Sequence, residues 1–437
     1  MLTIEKINKL IEVEEGFHAS YKLTEIMSSV EEREKLFEKF LFNEPDLSFD
    51  WFTEYYQSEH SDRVSKKQDF TPDSVNSICN LILGETKSNA DICAGSGGMT
   101  IKRWNENKKA LFYCEELSDR AIPFLLFNLS IRNINGYILH GDSLKKEFKI
   151  IYKLTSSNKF SDIEIVESIE EIPVETVVMN PPYSLEWSQI KDSRFNSYGI
   201  APKSKADLAF LLHGLSKLSE NGQMAIVLPH GVLFRAGAEQ VIRKQLIYFN
   251  KLDSVIGLPA KLFYNTDIPT CILVLKKNKI NKDILFIDAS NEFTKIKAKN
   301  ELEDFHINKI LDIYQKRKEL KKYSHVATLD EVKENDYNLN LPRYVDTYIK
   351  QETKPFNEII EDMKGIDRLI EKNSQELATM MLDLVGTNEV SDKLIKDFAK
   401  YFSERHGTRP LEVIEVQEKK EVKKKENKKM EQISIYD

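Results

Sequence analysis

Short apolar runs alternate with amphipathic stretches from about residue 66 to about residue 300. The apolar runs predict strands, and the stretches in which apolar positions recur at helical spacing predict helices. The predicted strands are Ala90–Cys93, Leu111–Cys114, Tyr137–Leu139, Thr176–Met179, Met224–Leu228, Leu252–Ile256 and Cys271–Leu275. The predicted helices between them include Asp119–Ile131, Asp207–Leu218 and Glu239–Tyr248. Strands that alternate with helices favour an α/β fold with a mostly parallel sheet, covered by helices on both faces.

Helical patterns flank this region on both sides. The apolar residues at helical spacing near the N-terminus are Ile4, Ile7, Ile11, Leu36, Phe37, Phe40 and Leu41. Beyond the strand that ends near residue 276, no further sheet strand is predicted. Helices are expected at 301–322, 356–384 and 391–403. We predict four regions: an N-terminal acidic helical domain (1–62), an α/β domain (63–346), a C-terminal helical region (347–408) and a charged flexible tail (409–437).

Composition narrows the class of protein. At 437 residues and 41% hydrophobic content, the chain is long enough for two or three globular domains. No apolar run approaches the roughly 20 residues that span a bilayer, and acids stand where a signal peptide would have its apolar core. The four cysteines, Cys79, Cys93, Cys114 and Cys271, form no CxxC pair. We therefore expect a cytoplasmic protein in a reducing compartment, with no membrane partner and no zinc or other metal site.

Charge is unevenly distributed along the chain. The formal net charge is −7, and residues 1–60 alone hold 14 acidic and 6 basic residues. The remaining residues carry 56 acidic and 57 basic residues and are nearly neutral. An acidic balance is unusual for a protein that binds nucleic acid on its own.

A glycine-rich segment, Asp91-Ile92-Cys93-Ala94-Gly95-Ser96-Gly97-Gly98, directly follows a predicted strand. Glycines let the backbone turn sharply and approach a ligand, and the N–H groups of the following helix can bind a carboxylate or phosphate. The segment alone is compatible with NAD, a nucleotide, S-adenosylmethionine or a simple tight turn.

Acidic residues follow the next two predicted strands. Glu115 and Glu116 come after the second strand, and Asp142 comes after the third. A carboxylate at this place can accept two hydrogen bonds from a ribose diol, although an acid can also simply mark a solvated strand end. Because parallel strands end at the same edge of a sheet, the glycine-rich turn and these acids predict one ligand site there.

The segment Asn180-Pro181-Pro182-Tyr183 follows another buried strand and points to the chemistry. The two prolines stiffen the loop and remove N–H donors, so that the loop presents the Asn180 amide oxygen and a proline carbonyl as acceptors. Two acceptors suit the two hydrogens of an exocyclic amine, and Tyr183 supplies a flat face for a planar ring. The alternative is a purely structural turn.

These motifs together resemble the γ-class amino-methylating DNA methyltransferases, and more narrowly the modification (M) subunit of type I restriction-modification systems. The resemblance covers roughly residues 60–346. Its motifs are Phe70-Thr71-Pro72, Asp91–Gly98, Glu116, Asp142, Asn180–Tyr183, Lys205–Phe210, Gly222–Arg235, Pro259–Thr270 and Tyr337–Tyr344. It implies a Rossmann-like methyltransferase sheet flanked by N-terminal and C-terminal helices. One departure is that the family usually reads Asp-Pro-Ala-Cys where this chain has Asp91-Ile92-Cys93-Ala94.

The resemblance also implies roles for individual residues. The implied residues for the cofactor, S-adenosylmethionine, are Thr71, Asp91, Ala94, Gly95, Gly97, Glu116 and Asp142. Of these, Glu116 would bind the ribose and Asp142 the cofactor's adenine, while the glycines and Thr71 would hold the methionine part. Asn180 and Pro181, with Pro182 stiffening the loop, would grip N6 of a flipped target adenine. Tyr183 would stack on one face of that base, and Phe263 is a candidate for the other face.

Partners follow from the same resemblance. No β-rich target-reading domain is predicted in the chain, so recognition of double-stranded DNA is expected to come from a specificity (S) subunit. The implied complex has two M subunits and one S subunit, to which a restriction subunit can add. The helices at 356–403 would contact the S subunit, or else pack on their own domain. Under this interpretation the catalytic region is nearly neutral, and the S subunit supplies much of the affinity for DNA phosphates. The alternatives are a stand-alone or phage-type adenine methyltransferase, an enzyme acting on RNA or protein glutamine, and an inactive cofactor-binding scaffold.

The end of the chain carries a separate motif. Gln432, Ile435 and Tyr436 resemble the peptide by which proteins dock on a bacterial sliding clamp. A charged tether would raise the effective concentration of such a peptide. The alternative is a tail that packs back on the protein or stays disordered.

Overall fold

The structure, a computed structural model, describes residues 2–59, 71–263, 267–297, 299–346 and 355–408. The chain divides into two compact units, Met1–Tyr348 and Ile349–Asp437. The first unit is built on a large sheet, and the described residues of the second form two helices. None of the helices within the described ranges is both long enough and apolar enough to cross a membrane.

The strands of the first unit are β1 (Ser88–Ile92), β2 (Leu111–Glu116), β3 (Asn135–Asp142), β4 (Glu147–Ser156), β5 (Ser161–Val166), β6 (Val174–Met179), β7 (Leu218–Pro229), β8 (Leu252–Gly257), β9 (Thr270–Lys276), β10 (Ile284–Asp288), β11 (Thr294–Ile296), β12 (Lys299–Glu301) and β13 (Ser324–Ala327). Eleven of them form one sheet in the order β13-β10-β8-β9-β7-β6-β1-β2-β3-β4-β5. Strands β11 and β12 form a separate two-stranded sheet.

The helices are α1 (Ile4–Ile11), α2 (Ala19–Ser28), α3 (Val30–Asn43), α4 (Thr53–Glu59), α5 (Asp73–Leu83), α6 (Gly98–Glu106), α7 (Ile122–Ile131), α8 (Ser193–Asn196), α9 (Asp207–Lys217), α10 (Ala238–Tyr248), α11 (Asp304–Lys316), α12 (Leu329–Glu334), α13 (Phe356–Leu382) and α14 (Glu389–His406). Short 3-10 turns lie at Gly16–His18, His230–Leu233 and Leu341–Arg343.

The predicted α/β fold class is confirmed, and each of the seven predicted strands overlaps a strand of the sheet. Helices cover both faces of the sheet. Because successive strand residues point to opposite sides, neighbouring residues of one strand pack in different cores. Val177 of β6 packs in the core beneath α9, whereas Val178 packs in the core that α5 and α11 cover.

Two expectations about the sheet are wrong. The sheet is mixed rather than mostly parallel, since five pairings in its described part are parallel and five are antiparallel. The antiparallel pairings arise because β9 inserts between β7 and β8, and because β4, β5 and β13 extend the two edges. The sheet also continues past residue 276, through the buried strand β10 and the four-residue strand β13.

The N-terminal helices share a core with the sheet region. Phe37, Phe40 and Phe52 pack around Phe127 of α7, with ring centroids 4.8–5.1 Å apart. Helix α7 is buried along its whole length, which explains why its sequence is apolar on every face. The N-terminal helices therefore belong to the first compact unit, although the predicted division at residue 62 stays a prediction.

The order of the parallel strands determines where a ligand site can lie. Strands β6, β1, β2 and β3 are neighbours and run in the same direction. Their carboxyl ends consequently meet at one edge of the sheet, where α/β proteins bind ligands.

Candidate active site

A cleft of about 490 Å³ opens at this carboxyl edge. Its volume falls in the range of small-molecule and cofactor sites. The structure brings ten of the predicted site residues into its lining: Thr71, Asp91, Ala94, Gly95, Glu116, Asp142, Asn180, Pro181, Pro182 and Tyr183.

The glycine-rich loop between β1 and α6 turns through left-handed backbone conformations. Cys93, Gly95 and Gly97 have φ values of 65°, 59° and 95°. The Cys93 and Ala94 N–H groups donate to the Glu115 carbonyl, at 2.9 and 3.1 Å. A Cβ on Gly97 would come within 2.8 Å of a Leu125 methyl carbon, so Gly97 lets the loop close against α7 and is not among the described residues that line the cleft. Gly97 as a cofactor residue stays a prediction.

Glu116 is held rigidly where β2 ends. Its Oε2 accepts the Gly95 N–H at 2.8 Å, and its Oε1 accepts the Ser118 N–H at 2.7 Å. Only 6% of the residue is exposed. The carboxylate therefore joins the glycine-rich loop to the end of β2 and has a fixed orientation at the cleft.

Two further acids of the cleft, Asp91 and Asp142, also have fixed hydrogen-bond partners. Asp91 is buried and its Oδ2 accepts the Thr100 hydroxyl at 2.7 Å, and burial raises the pKa of Asp91 to about 7. Asp142 Oδ1 accepts the N–H groups of Leu144 and Lys145, at 3.0 and 3.1 Å, and so closes the turn after β3.

The loop after β6 orients its asparagine from both sides. The Asn180 Nδ2 donates to Thr71 Oγ1 at 2.9 Å, and the Tyr183 hydroxyl donates to Asn180 Oδ1 at 2.7 Å. The Tyr183 ring meets Phe263 edge to face, with centroids 6.0 Å apart. Phe263 is only 1% exposed and supports Tyr183 from the core, so its role beside a target base stays a prediction.

Two of the motifs, Lys205–Phe210 and Gly222–Arg235, were given no role from the sequence. Residues from both lie near the turn after Tyr183. Ser184 has a left-handed φ of 52°, and its N–H donates to buried Asp207 Oδ1 at 2.7 Å. The Arg235 guanidinium lies 3.4 Å from the second Asp207 oxygen. Asp207 therefore holds the loop that carries Asn180.

A buried polar chain that sequence reasoning missed supports the turn after β3. Arg194 donates to the Ser143 and Leu144 carbonyls, at 3.2 and 2.6 Å, and to His213 Nδ1 at 2.7 Å. His213 Nε2 then donates to Glu115 Oε2 at 2.8 Å. These contacts could not be predicted from the spacing of residues in the sequence, because the residues lie on four separate elements.

The hydrogen bonds from Arg194 through His213 give the Glu115 carboxylate partners that the neighbouring Glu116 carboxylate does not share. Burial opposes its ionisation, yet His213 and Lys217, whose Nζ lies 3.0 Å from Oε1, hold the pKa of Glu115 well below its usual range. Burial also lowers the pKa of His213. Because the His213 Nδ1 accepts from Arg194, Nε2 is the ring nitrogen that donates to Glu115. The Glu115 carboxylate is thus bound by His213 and Lys217, whereas the Glu116 carboxylate is bound by the glycine-rich loop.

Several predicted residues lie outside the described residues: Phe70, Asn265, Thr266, Gln432, Ile435 and Tyr436. In the described ranges, no group of three or more His, Cys, Asp or Glu side chains has an arrangement that could hold a metal ion.

Comparisons with known proteins identify relatives of this site and fold. Residues 48–353 match the family model described as N-6 DNA Methylase. The type I restriction enzyme MpnII methylase subunit of Mycoplasma pneumoniae is 33% identical over 383 residues, covering 83% of this chain and 68% of that protein. The MjaVII methylase subunit of Methanocaldococcus jannaschii is 27% identical and is covered to 66% of its length. The chain thus spans about two thirds of the length of these curated relatives.

Solved structures of similar proteins support the same family assignment and fold. The crystal structure of the type I restriction-modification system methyltransferase subunit from Streptococcus thermophilus superposes with a TM-score of 0.61 at 32% identity, covering 79% of this chain and 80% of that chain. A modification subunit from Vibrio vulnificus, at 15% identity and a TM-score of 0.51, shares the fold.

Proposed function

The chain belongs to the N-6 DNA methylase family, and on this premise we propose that it transfers a methyl group from S-adenosylmethionine to N6 of adenine in double-stranded DNA, as the modification subunit of a type I restriction-modification complex. The observation that carries the proposal is the placement of Asn180–Tyr183 in the same cleft as Glu116 and Asp142. A loop that suits an amine and a sheet edge that suits a nucleoside then line the same cleft.

The residues of the cleft fit S-adenosylmethionine. The rigid Glu116 carboxylate suits the ribose diol, and Asp142 at the end of the next strand suits the adenine amine. Gly95 and Thr71 line the same cleft and would hold the methionine part. A cationic ammonium group near Asp91 would favour the ionised form of that buried carboxyl. When bound, the sulfonium supplies a methyl group attached to a good leaving group.

Asn180 and Pro181 would act on the target amine. The Asn180 Oδ1 has two lone pairs, so it can accept an N6 hydrogen while it still accepts the Tyr183 hydroxyl. The Pro181 carbonyl would accept the second hydrogen. The amine lone pair of adenine is delocalised into the ring, and two acceptors aimed at its hydrogens favour the pyramidal form that attacks the methyl group. This effect is electrostatic preorganisation combined with alignment.

A base inside the duplex cannot reach this cleft, so the target adenine has to leave the stack at a cost of a few kcal/mol. Stacking on Tyr183 would offset part of that cost. Two cations border the loop: Lys203 lines the cleft, and the Lys205 Nζ lies 3.3 Å from Ser184 Oγ. Positive charge here suits the phosphates that flank the extruded nucleotide.

The second compact unit offers a surface for the specificity subunit. Most of the exposed apolar side chains of α13 repeat at the 3–4 spacing of a coiled coil, with polar Asn373 at one position of the repeat. The side chains of this stripe are Phe356, Ile359, Met363, Ile366, Ile370, Leu377 and Met380. A heptad stripe of this kind fits a partner that presents a helix of its own. We infer that S-subunit helices cover it, in a complex of two M subunits and one S subunit to which a restriction subunit can add.

The double variant Ile366→Gln/Ile370→Gln tests this surface. It is expected to weaken S-subunit affinity at least 10-fold, because two apolar side chains that the S subunit would bury are lost while helix propensity is kept. Affinity is measured by titration of labelled S subunit. The matched control, Lys364→Gln/Arg368→Gln, alters the opposite face at the same spacing and should bind normally. Equal affinity of both variants and the wild type would remove α13 as the contact.

The function itself is tested with methyl-labelled cofactor. The full chain, with and without its S subunit, is offered duplex DNA, RNA and protein substrates. We expect labelled N6-methyladenine in DNA only when the S subunit is present. Transfer to DNA by the isolated chain would indicate a stand-alone enzyme, transfer to RNA or glutamine would indicate another substrate, and cofactor binding without any transfer would indicate a scaffold. Each of these results contradicts the proposal.

A further inference from the structure

Asp50, in the segment before α4, touches the glycine-rich loop from outside the cleft. Its carboxylate accepts the Asn128 Nδ2 at 2.7 Å, the Thr53 hydroxyl at 2.8 Å and the Phe52 N–H at 2.9 Å. It also accepts the hydroxyl of Ser96, which is the central residue of the glycine-rich loop. One acidic side chain thus joins three separate parts of the first compact unit.

A buried arginine fixes the segment that carries Asp50. Arg132 donates to the carbonyls of Leu47 and Phe49, at 2.8 and 2.6 Å. It also donates to Asn128, at 2.8 Å for the backbone carbonyl and 3.0 Å for Oδ1. Since Arg132 and Asn128 are both buried at α7, the Asp50 carboxylate is held on a rigid support rather than on a free loop.

The glycine-rich loop needs such support. Ser96 stands between Gly95 and Gly97, which both have positive φ and lose much conformational entropy when they are ordered. The Ser96 side chain bonds to Asp50, and the Ser96 carbonyl accepts the Asn128 Nδ2 at 2.8 Å. A Cβ on Gly98 would lie 3.7 Å from the Asp50 carboxylate, so the loop and the acid are in close contact.

The same segment reaches the cleft at one further point and contacts the residue that holds Glu116. Thr53 lines the cleft directly. The Tyr56 hydroxyl lies 3.2 Å from the Ser118 hydroxyl, and the Ser118 N–H donates to Glu116. The N-terminal segment therefore contacts both elements to which the cofactor's methionine part and ribose are assigned.

We propose that Asp50 is a positioning residue for S-adenosylmethionine, holding the loop of Gly95–Gly98 in the conformation that binds the methionine part of the cofactor. The inference rests on the proposed function and adds to it a residue that none of the family motifs includes. It makes cofactor affinity dependent on the acidic N-terminal part of the chain.

The test uses the full chain in complex with its S subunit and compares Asp50→Ala with Asp50→Asn. We expect Asp50→Ala to raise the KM and the Kd for S-adenosylmethionine 5- to 20-fold, and to leave kcat at saturating cofactor and the KM for DNA within 3-fold. Asp50→Asn keeps one acceptor oxygen and should fall between Asp50→Ala and the wild type. Active-site titration corrects kcat for the folded fraction, which does not enter KM.

Asn105→Ala is the matched control, because the Asn105 Nδ2 donates to the Ser48 carbonyl and holds the same segment without touching the loop. It should leave the KM for the cofactor unchanged. An unchanged KM in Asp50→Ala, with only a smaller folded fraction, would overturn the positioning role, as would an equal rise in Asn105→Ala. If the wild-type complex itself neither binds the cofactor nor methylates DNA, the proposed function fails instead.

Discussion

The Asn180→Ala variant is expected to lose methyl transfer almost completely while it still binds the cofactor. Removing one preorganised polar group from a site of this kind lowers kcat by about 100- to 1,000-fold. The cofactor Kd should stay within about 3-fold, because Glu116 and Asp142 keep the backbone partners that orient them toward the cofactor. Single-turnover transfer of labelled methyl to duplex DNA measures the first effect, and calorimetry measures the second.

A matched control for this variant is Asn158→Ala, which removes an exposed asparagine from the turn between β4 and β5. It should transfer methyl groups at the wild-type rate. A rate for Asn180→Ala within 3-fold of the wild type would contradict the assignment of the loop. A parallel loss of cofactor binding and transfer would instead place Asn180 in the cofactor site.

The Glu116→Ala variant is expected to raise the KM for S-adenosylmethionine about 100-fold. Hydrogen bonds to a charged group contribute about 1.5–3 kcal/mol each, and the variant also leaves the Gly95 N–H without its acceptor. The glycine-rich loop should loosen as the ribose contact is lost, so both effects act in the same direction. Steady-state kinetics at fixed, saturating DNA provides the measurement.

Glu164→Ala serves as the control for Glu116→Ala, since it removes an exposed glutamate of β5 whose partner Lys153 is 3.8 Å away. Exposed pairs of this kind contribute little, so its KM should be that of the wild type. If Glu116→Ala changes the KM for DNA and not that for the cofactor, the assignment of Glu116 to the ribose is wrong.

Most of the apolar strands of the sheet could be predicted, whereas the buried strand β10 was missed, as were the strands that are short or polar. Strands β1, β6 and β9 were predictable because their residues are almost all buried. Strands β4 and β5 were missed because they extend the sheet at a partly exposed edge, where lysines and glutamates alternate with apolar residues. Strand β13 has four residues and forms only by pairing with β10, so its own sequence carries little signal.

The site was predictable to the extent that it follows strand ends. Glu116, Asp142 and Asn180 each stand at the end of a parallel strand, and strand order alone brings them to one edge. Asp50 and Arg194 could not be predicted in this way. Their contacts join loops and helices that are distant in the chain, and only tertiary packing brings them together.

In the proposed reaction, helix α9 would set the spacing between the methyl donor and the methyl acceptor. Asp207 at its first residue holds the turn after Tyr183, and His213 and Lys217 in its later turns hold Glu115 next to the cofactor residues. The turn after Tyr183 and the end of β2 are thus both held by one helix about 16 Å long. Gly214 lets this helix lie close to the sheet, since a Cβ there would come within 2.8 Å of the Met179 Cε. An error of about 1 Å in such a distance can slow an enzyme about 100-fold, so the geometry of transfer depends on how closely one glycine approaches two methionines.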